Sequence, residues 1–259
     1  MSRFSLIDDD SRIIIGSCKN IVGLSGDCIT EFNHESYHKI TLINFVINDA
    51  FNEHCMKSKV CITNIDLSIT NQKGEQIGAY YFSLKDPVCF QKDGDRDGWI
   101  HSELIGTLLS VASKETLEIW DIWREAPPTT KNVWAQLSEE QRKGWLEVIR
   151  LKSQPVLAPQ EQQNDEYFLD ATYVTDSTSF FYALGEAING PGGYYGFDLN
   201  SLQNCFCGGF GAVPPFDLHI KKNNIDCSDE SNFVLGADES FYQQLRDIFI
   251  ANRITIIYS

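Results

Sequence analysis

The segment HESYH, residues 34–38, has the residue types and the spacing of a catalytic zinc site. In such a site, two histidines one helical turn apart bind the metal, and the glutamate activates a bound water. This chemistry requires a helix, but the segment runs directly into the strand-like sequence KITLINFVI. A loop or strand start with two ordinary histidines is therefore favoured, and a zinc hydrolase that uses His34, Glu35 and His38 is an alternative.

The segment DGDRDGWIHSE, residues 93–103, is similar to a calcium-binding loop, because three aspartates at alternate positions precede a glycine at the bend. The bidentate glutamate of such a loop belongs at the position of Leu104, and Glu103 comes one residue early. The preceding YYFSLKDPVCF indicates a strand rather than an entering helix. An acidic turn is favoured, and we predict no bound metal and no cofactor.

A third polar group lies on a short predicted helix from Leu199 to Phe206, whose apolar residues follow helical spacing. Asn200, Gln203 and Asn204 share the opposite face, because positions i, i+3 and i+4 lie on one side of a helix. Amide side chains both donate and accept hydrogen bonds. This face is either a solvated surface or a surface that binds a partner.

The elements that precede these residues are mainly β-strands. Runs of β-branched and aromatic residues predict four strands, ITLINFVI, VCITNIDLSI, QIGAYYFSL and LEIWDIW. The Gly-containing TNQKGEQ between the second and the third predicts a hairpin from Cys61 to Leu84. Ser138 and Gln141 then have the spacing of a capping box, which predicts the start of a helix.

The composition changes at SQPVLAPQEQQNDE, which has two prolines and four glutamines and is typical of a linker. After it, strand-like segments such as PFDLHI and ITIIY alternate with helical patterns, which indicates a parallel sheet with helices. We predict an α+β chain with two domains. A β-rich domain with a C-terminal helix covers residues 1–152, a linker covers 153–165, and an α/β domain covers 166–259.

The length of 259 residues and the hydrophobic content of 42% allow two cores. No apolar run approaches the roughly 18 residues that span a bilayer, and MSRFSLIDDD is unlike a signal peptide, so we expect a cytoplasmic protein. The eight cysteines are expected to be reduced thiols. Cys205 and Cys207 have no partner pair at metal-ligand spacing.

The net charge of −15 disfavours nucleic acids and anionic membranes as partners and favours a basic protein. Residues 166–259 carry 12 acidic and 4 basic residues, whereas the rest of the chain carries 24 and 17. The shorter part therefore has about twice the charge density, as expected of a surface that attracts a cationic partner.

Residues 167–259 resemble the barstar-like family, whose members are intracellular inhibitors of the secreted bacterial ribonuclease barnase. The resemblance rests on YYG followed by DLNSLQNC, on the strand entry at Pro215 and on the terminal ITIIYS. The first part of the chain is faintly similar to the extra domain that precedes barstar-like domains in some bacterial proteins. The family implies a three-stranded parallel sheet with helices, in which the second helix and the loop before it block the nuclease active site.

The resemblance also implies the residues that contact the nuclease. The interface of the family consists of a tyrosine, the loop and start of the second helix, the middle of that helix and an acidic residue of the last helix. In this sequence these positions are Tyr194, Asp198, Leu199, Asn200, Gln203, Asn204 and Asp247. The two asparagines replace the principal aspartates of the family, so both helix charges are missing.

The sequence therefore predicts an intracellular immunity protein, or antitoxin, rather than an enzyme. Its expected partner is a basic protein toxin, with a secreted ribonuclease as the favoured class, and Tyr194 is the expected aromatic anchor. An acidic field is expected to support the contact, from Asp226, Asp229, Glu230, Asp238 and Glu239. The alternative is a binding module that uses the barstar scaffold for a partner other than a nuclease.

Overall fold

The computed structural model describes residues 2–57, 61–89, 100–152, 165–221 and 239–258. The contacts divide the chain into two compact units, Met1–Ala126 and Pro127–Ser259. The fold class is mixed, with an antiparallel sheet in the first unit and a separate parallel sheet with helices in the second. The prediction of a β-rich part followed by an α/β part is confirmed at this level.

The described residues of the first unit form eight strands and two helices. The strands are β1 Phe4–Asp8, β2 Ile14–Cys18, β3 Asn20–Val22, β4 Ile29–Phe32, β5 Glu35–Ile47, β6 Ile62–Thr70, β7 Gln76–Val88 and β8 Ile100–Leu108. The helices are α1 Asp49–Lys57 and α2 Lys114–Glu125.

Six of these strands close into an antiparallel barrel-like sheet in the order β2-β1-β6-β7-β8-β5. The sheet closes between β5 and β2, where Gly16 lies opposite Ile47 and Ser17 lies opposite Val46. Glycine is required at this closure, because a Cβ atom on Gly16 would lie 2.4 Å from the carbonyl oxygen of Val46. Strands β3 and β4 also pair with β5.

The hairpin predicted from Cys61 to Leu84 is confirmed, because β6 and β7 pair as antiparallel neighbours. The strand predicted for LEIWDIW is wrong, because these residues lie in helix α2. The Ser113 side chain accepts a hydrogen bond from the Thr116 backbone nitrogen at 3.1 Å and caps the helix. Thr116, Trp120 and Trp123 are buried along one face. Their helical spacing overrides the strand propensity of aromatic and β-branched residues.

The described residues of the second unit form three strands, four α-helices and a short 3₁₀ helix. The helices are the 3₁₀ helix Val133–Gln136, α3 Glu139–Lys152, α4 Ser177–Asn189, α5 Leu199–Cys205 and α6 Glu239–Ala251. The strands are β9 Glu166–Asp170, β10 Asp217–Lys221 and β11 Thr255–Tyr258. They form a parallel sheet in the order β11-β10-β9, as the sequence predicts.

The division between the units differs from the predicted boundary at residue 152. Helix α3, predicted as the end of the first domain, packs in the second unit, where the Tyr182 hydroxyl donates to the Arg142 carbonyl at 2.6 Å. Trp134, which is fully buried, also contacts Tyr182, with ring centroids 5.2 Å apart. The predicted linker, residues 153–165, therefore connects two elements of one unit; all but Asp165 lie outside the described residues.

The helices that the structure describes include none with the length and apolar character needed to cross a membrane.

Candidate partner-binding site

Helix α5 begins at a complete capping box. The Asp198 carboxylate accepts from the Ser201 backbone nitrogen at 2.6 Å, and the Ser201 hydroxyl accepts from the Asp198 backbone nitrogen at 2.9 Å. The same hydroxyl accepts from the Phe197 nitrogen at 2.8 Å. Gly196 has a φ of +87°, and a Cβ atom there would lie 3.0 Å from the Leu202 backbone. These local features stabilise a seven-residue helix that would be marginal alone.

The outer surface of α5 carries three exposed side chains, Asn200, Gln203 and Asn204. We call them the amide face. None of the three side chains has a hydrogen-bond partner among the described residues, whereas Leu202 and Cys205 on the inner side are buried. The prediction that the amides share one exposed face is therefore confirmed. The amide donors and acceptors of these side chains are exposed to solvent, and the helix backbone that carries them is already ordered.

Two side chains, the half-buried Asn189 and the buried Tyr195, connect the loops before and after α5. The Asn189 amide nitrogen donates to the carbonyl oxygens of Tyr194 at 2.7 Å and Phe210 at 2.8 Å. The Tyr195 hydroxyl donates to the carbonyl oxygen of Ala212 at 2.7 Å. We call Asn189 and Tyr195 the loop anchors. They hold both ends of the α5 segment, which lowers the ordering entropy that a partner would otherwise have to overcome.

A buried carboxylate supports the same region from α4. Glu186, which is 2% exposed, accepts hydrogen bonds from the backbone nitrogens of Asn132 at 2.8 Å and Gly192 at 3.1 Å. It also accepts from the Trp134 indole nitrogen at 3.2 Å. Burial raises the pKa of Glu186, while these hydrogen bonds and Lys131 oppose the increase. Glu186 thus connects the segment at 127–136 to the loop that leads into the site.

Tyr194, predicted as the aromatic anchor, lies inside the unit and is 6% exposed. Its ring lies 5.9 Å from that of Phe210, and burial raises the pKa of its hydroxyl to about 12. Phe197, at the N-terminal end of the amide face, is 39% exposed. In this conformation the aromatic surface beside α5 is therefore that of Phe197, and the Tyr194 ring supports the loop from within.

The remaining predicted contacts have different surroundings. Asp198 and Leu199 are half-buried at the start of α5, where Asp198 serves as the cap. Asp247 is exposed on α6 and accepts from the Gln243 side chain at 3.1 Å. Within the described residues, no hydrogen bond joins Asp247 to the amide face. Glu239 begins α6, while Asp226, Asp229, Glu230 and Asp238 lie outside the described residues.

The residues of the two metal-like motifs do not form the geometry that those motifs require. His34 lies in a turn with a φ of +67°, and Glu35 begins β5. Four residues of extended chain span about 13 Å, too far for His34 and His38 to bind one zinc ion at about 2 Å each. The His38 Nδ1 atom instead accepts from the Leu108 backbone nitrogen at 3.2 Å. The aspartates of residues 93–97 lie outside the described residues.

Among the described residues, no group of three or more histidine, cysteine, aspartate or glutamate side chains is arranged to hold a metal ion.

Comparison with protein-family models, with curated proteins and with solved structures found no match to this chain. The resemblance to the barstar-like family therefore stays a prediction, and the function is argued from the geometry of the α5 region.

Sequence reasoning missed the loop anchors and Glu186, although each has a local signal. Asn189 precedes the Gly190-Pro191-Gly192-Gly193 turn, where a polar side chain at a helix end can reach loop carbonyls. Glu186 is an acidic residue on an otherwise apolar and small-residue helix, ALGEAI. A buried acid of this kind requires donors, but the sequence does not show that residues 132–134 supply them.

Proposed function

We propose that this chain is an inhibitor of a protein toxin, with a ribonuclease as the favoured class, and that the amide face is the centre of its binding surface. The observation that carries the proposal is a set of three exposed amides, unpaired among the described residues, on a helix whose two flanking loops are held by the side chains of Asn189 and Tyr195. Exposed polar groups on a rigid backbone can bind a partner with little ordering cost.

The class of partner follows from charge and from the sequence resemblance. The chain carries a net charge of −15, which increases the association rate with a basic protein. A nuclease active site is rich in cations that bind RNA phosphates, and an acidic protein with a projecting helix is suited to fill it. The barstar resemblance implies the same helix for this role.

The amides define how the contact would differ from that of a carboxylate inhibitor. An amide offers one oxygen acceptor and two N–H donors without net charge. It can therefore pair with backbone groups and neutral side chains of the partner, as well as with arginine or lysine. We expect the partner to present a mixed set of donors and acceptors opposite α5, rather than a purely cationic pocket.

Phe197 supplies the apolar part of this surface in place of Tyr194. It stands next to the cap residue Asp198, and its ring is partly exposed. Aromatic side chains near the centre of an interface often carry a large share of the binding energy. The proposed contact set is therefore Phe197 together with Asn200, Gln203 and Asn204.

The test compares the faces of two helices in one chain. The triple variant Asn200→Ala, Gln203→Ala, Asn204→Ala removes the amide face, and Gln243→Ala with Gln244→Ala removes two exposed amides of α6. The α6 pair is a matched control, because those amides already donate within their own helix to Asp247 and Ser240. Binding and inhibition are measured against basic ribonucleases, including a barnase-type enzyme and any nuclease encoded beside this gene.

We expect at least about a tenfold loss of affinity in the triple variant, equivalent to about 1.4 kcal/mol, and no change in the α6 control. Equal losses in both variants would reject α5 as the binding surface. Tight binding of a partner without inhibition of any nuclease would favour the alternative, a binding module for a partner of another class.

A further inference from the structure

The open end of the β6–β7 hairpin carries two cysteines. Cys61 immediately precedes β6 and Cys89 immediately follows β7, and their Sγ atoms lie 3.2 Å apart. Ile62 pairs with Val88 at this end of the ladder, so the same antiparallel register places the two cysteines opposite each other. Both residues are exposed, which leaves the pair accessible to small molecules.

The other described cysteines have different surroundings. Cys18 and Cys205 are buried, and burial raises the pKa of each thiol to about 12, which makes both unreactive. Cys28 and Cys55 are half-buried. Cys207 is exposed, but its Sγ atom donates to the Gln203 carbonyl at 3.6 Å, and no hydrogen bond joins it to another described thiol. An exposed thiol with an adjacent partner thiol is thus a property of Cys61 and Cys89 among the described residues.

We propose that Cys61 and Cys89 form a reversible dithiol–disulfide site that reacts with low-molecular-weight disulfides of the glutathione class. The thiolate of one cysteine attacks a sulfur of the small disulfide and releases one glutathione thiolate. The second cysteine, once deprotonated, attacks the protein sulfur of this mixed disulfide and releases the second glutathione. The two protein thiols lose two electrons and two protons in total, and the small disulfide is reduced to two thiols.

The bond would connect neighbouring strands at the end of the hairpin where the chain does not join them. At the other end, residues 71–75 already form the turn, where the Asn71 nitrogen donates to the Glu75 carbonyl at 2.9 Å. A covalent link across the open end restricts the unfolded chain by closing the loop of residues 61–89. Oxidation would therefore stabilise the barrel-like sheet, of which β6 and β7 are adjacent members.

The experiment uses the full chain, reduced and then freed of reductant. The protein is incubated with oxidised glutathione, free thiols are blocked, and peptides are mapped by mass spectrometry without reduction. We expect a linked peptide pair containing Cys61 and Cys89, together with a glutathione adduct on Cys207. In Cys61→Ser, the link is lost and Cys89 carries a glutathione adduct. The oxidised wild type should melt at a higher temperature than the reduced form, with no such difference in the Cys61→Ser, Cys89→Ser variant.

Separate glutathione adducts on Cys61 and Cys89 in the wild type would overturn the proposal, because they would show that the two sulfurs do not meet. The proposal would also be rejected if neither Cys61 nor Cys89 reacts under conditions that modify Cys207. This inference is independent of the proposed binding function, since both cysteines belong to the first unit.

Discussion

The two units of this chain are stabilised in different ways. In the first unit, six strands pair into a closed cycle, so neighbouring backbones satisfy one another. In the second unit, the described sheet has three strands, and the loops beside α5 are held by hydrogen bonds from the buried Glu186 and the half-buried Asn189. The proposed binding surface therefore depends on a few side chains outside helix α5, whereas the barrel-like sheet depends on its backbone pairing.

The largest expected loss of stability follows from the removal of residues 127–165 from the second unit. We expect a fragment of residues 127–259 to unfold cooperatively, and a fragment of residues 166–259 not to fold. The shorter fragment loses the buried Trp134 side chain, at about 3–5 kcal/mol, and leaves Glu186 without two donors. That loss is comparable with the whole stability of a small domain, about 5–15 kcal/mol. Circular dichroism during urea unfolding distinguishes the two, and equal stability would show that 127–152 is dispensable.

A smaller loss is expected for Glu186→Gln. If the amide oxygen keeps the contacts with Asn132 and Trp134, the amide N–H₂ group faces the N–H of Gly192, so one buried hydrogen bond is lost at a cost of about 1–3 kcal/mol. Ser68→Ala is the matched change in the barrel-like sheet, because the buried Ser68 hydroxyl has no hydrogen-bond partner among the described residues. Because the substitution removes a buried polar group that lacks a partner, we expect no loss of unfolding free energy in Ser68→Ala. A larger loss in Ser68→Ala than in Glu186→Gln would contradict the comparison.

Glu186→Gln also tests how the stability of the second unit depends on pH. Burial raises the pKa of Glu186 in the folded state above its usual value near 4.5, so the folded state binds the proton more tightly than the unfolded state. This contribution to stability is fully present below the unfolded pKa and is lost as pH rises through the raised folded pKa. The advantage of wild type over Glu186→Gln in urea unfolding should therefore decrease as the pH rises above the usual pKa of a glutamate and through the raised folded pKa. An advantage that grows with pH would show that the three N–H donors outweigh burial.

Asn189→Ala should lower the stability of the second unit by about 1–3 kcal/mol, since two loop carbonyls lose their donor. Asn189→Asp keeps the shape of the side chain but lacks the N–H₂ donors. It therefore distinguishes the contribution of the hydrogen bonds from that of side-chain packing. We expect both variants to weaken partner binding although Asn189 is not on the amide face. Chemical denaturation and binding assays on the same preparations give the two quantities. Unchanged affinity in a destabilised variant would mean that the loops keep their arrangement without the anchor.

The smallest expected effect on stability is that of Asn200→Asp with Asn204→Asp, within about 0.5 kcal/mol, because both side chains are exposed and make no hydrogen bond to another described residue. Binding to a barnase-type ribonuclease should nevertheless become tighter and more sensitive to salt. Coupling energies of about 1.5–7 kcal/mol, measured for close charge pairs at the barnase–barstar interface itself, set the scale. Titrations at two salt concentrations test this. If the wild type already binds a barnase-type ribonuclease tightly, the two asparagines do not weaken this contact and the prediction is wrong.

Local signals in the sequence predicted much of the second unit. The strand-like segments PFDLHI and ITIIY predict strands β10 and β11, and the spacing of Leu199, Leu202 and Phe206 indicates which side of α5 is buried. Helix α2 was predicted wrongly, because aromatic and β-branched residues suit both a strand and a buried helix face.

Long-range relations could not be predicted in the same way. The pairing of Gly16 with Ile47 closes the sheet across a distance along the chain that no local pattern encodes. The assignment of residues 127–152 to the second unit depends on hydrogen bonds between Glu186 and residues 132–134. The sequence does not show that Phe197 is exposed and Tyr194 is buried, because this depends on how the loop held by Asn189 and Tyr195 folds.

The amide face takes no part in the internal bonding of the fold that the structure describes. The side chains of Asn200, Gln203 and Asn204 contribute no hydrogen bond to it, while the cap, the loop anchors and the inner residues of α5 maintain the backbone. Selection can therefore replace these three residues one at a time with little penalty in folding. The outer side chains of this helix can therefore diverge between related proteins, while the framework that presents them is inherited unchanged.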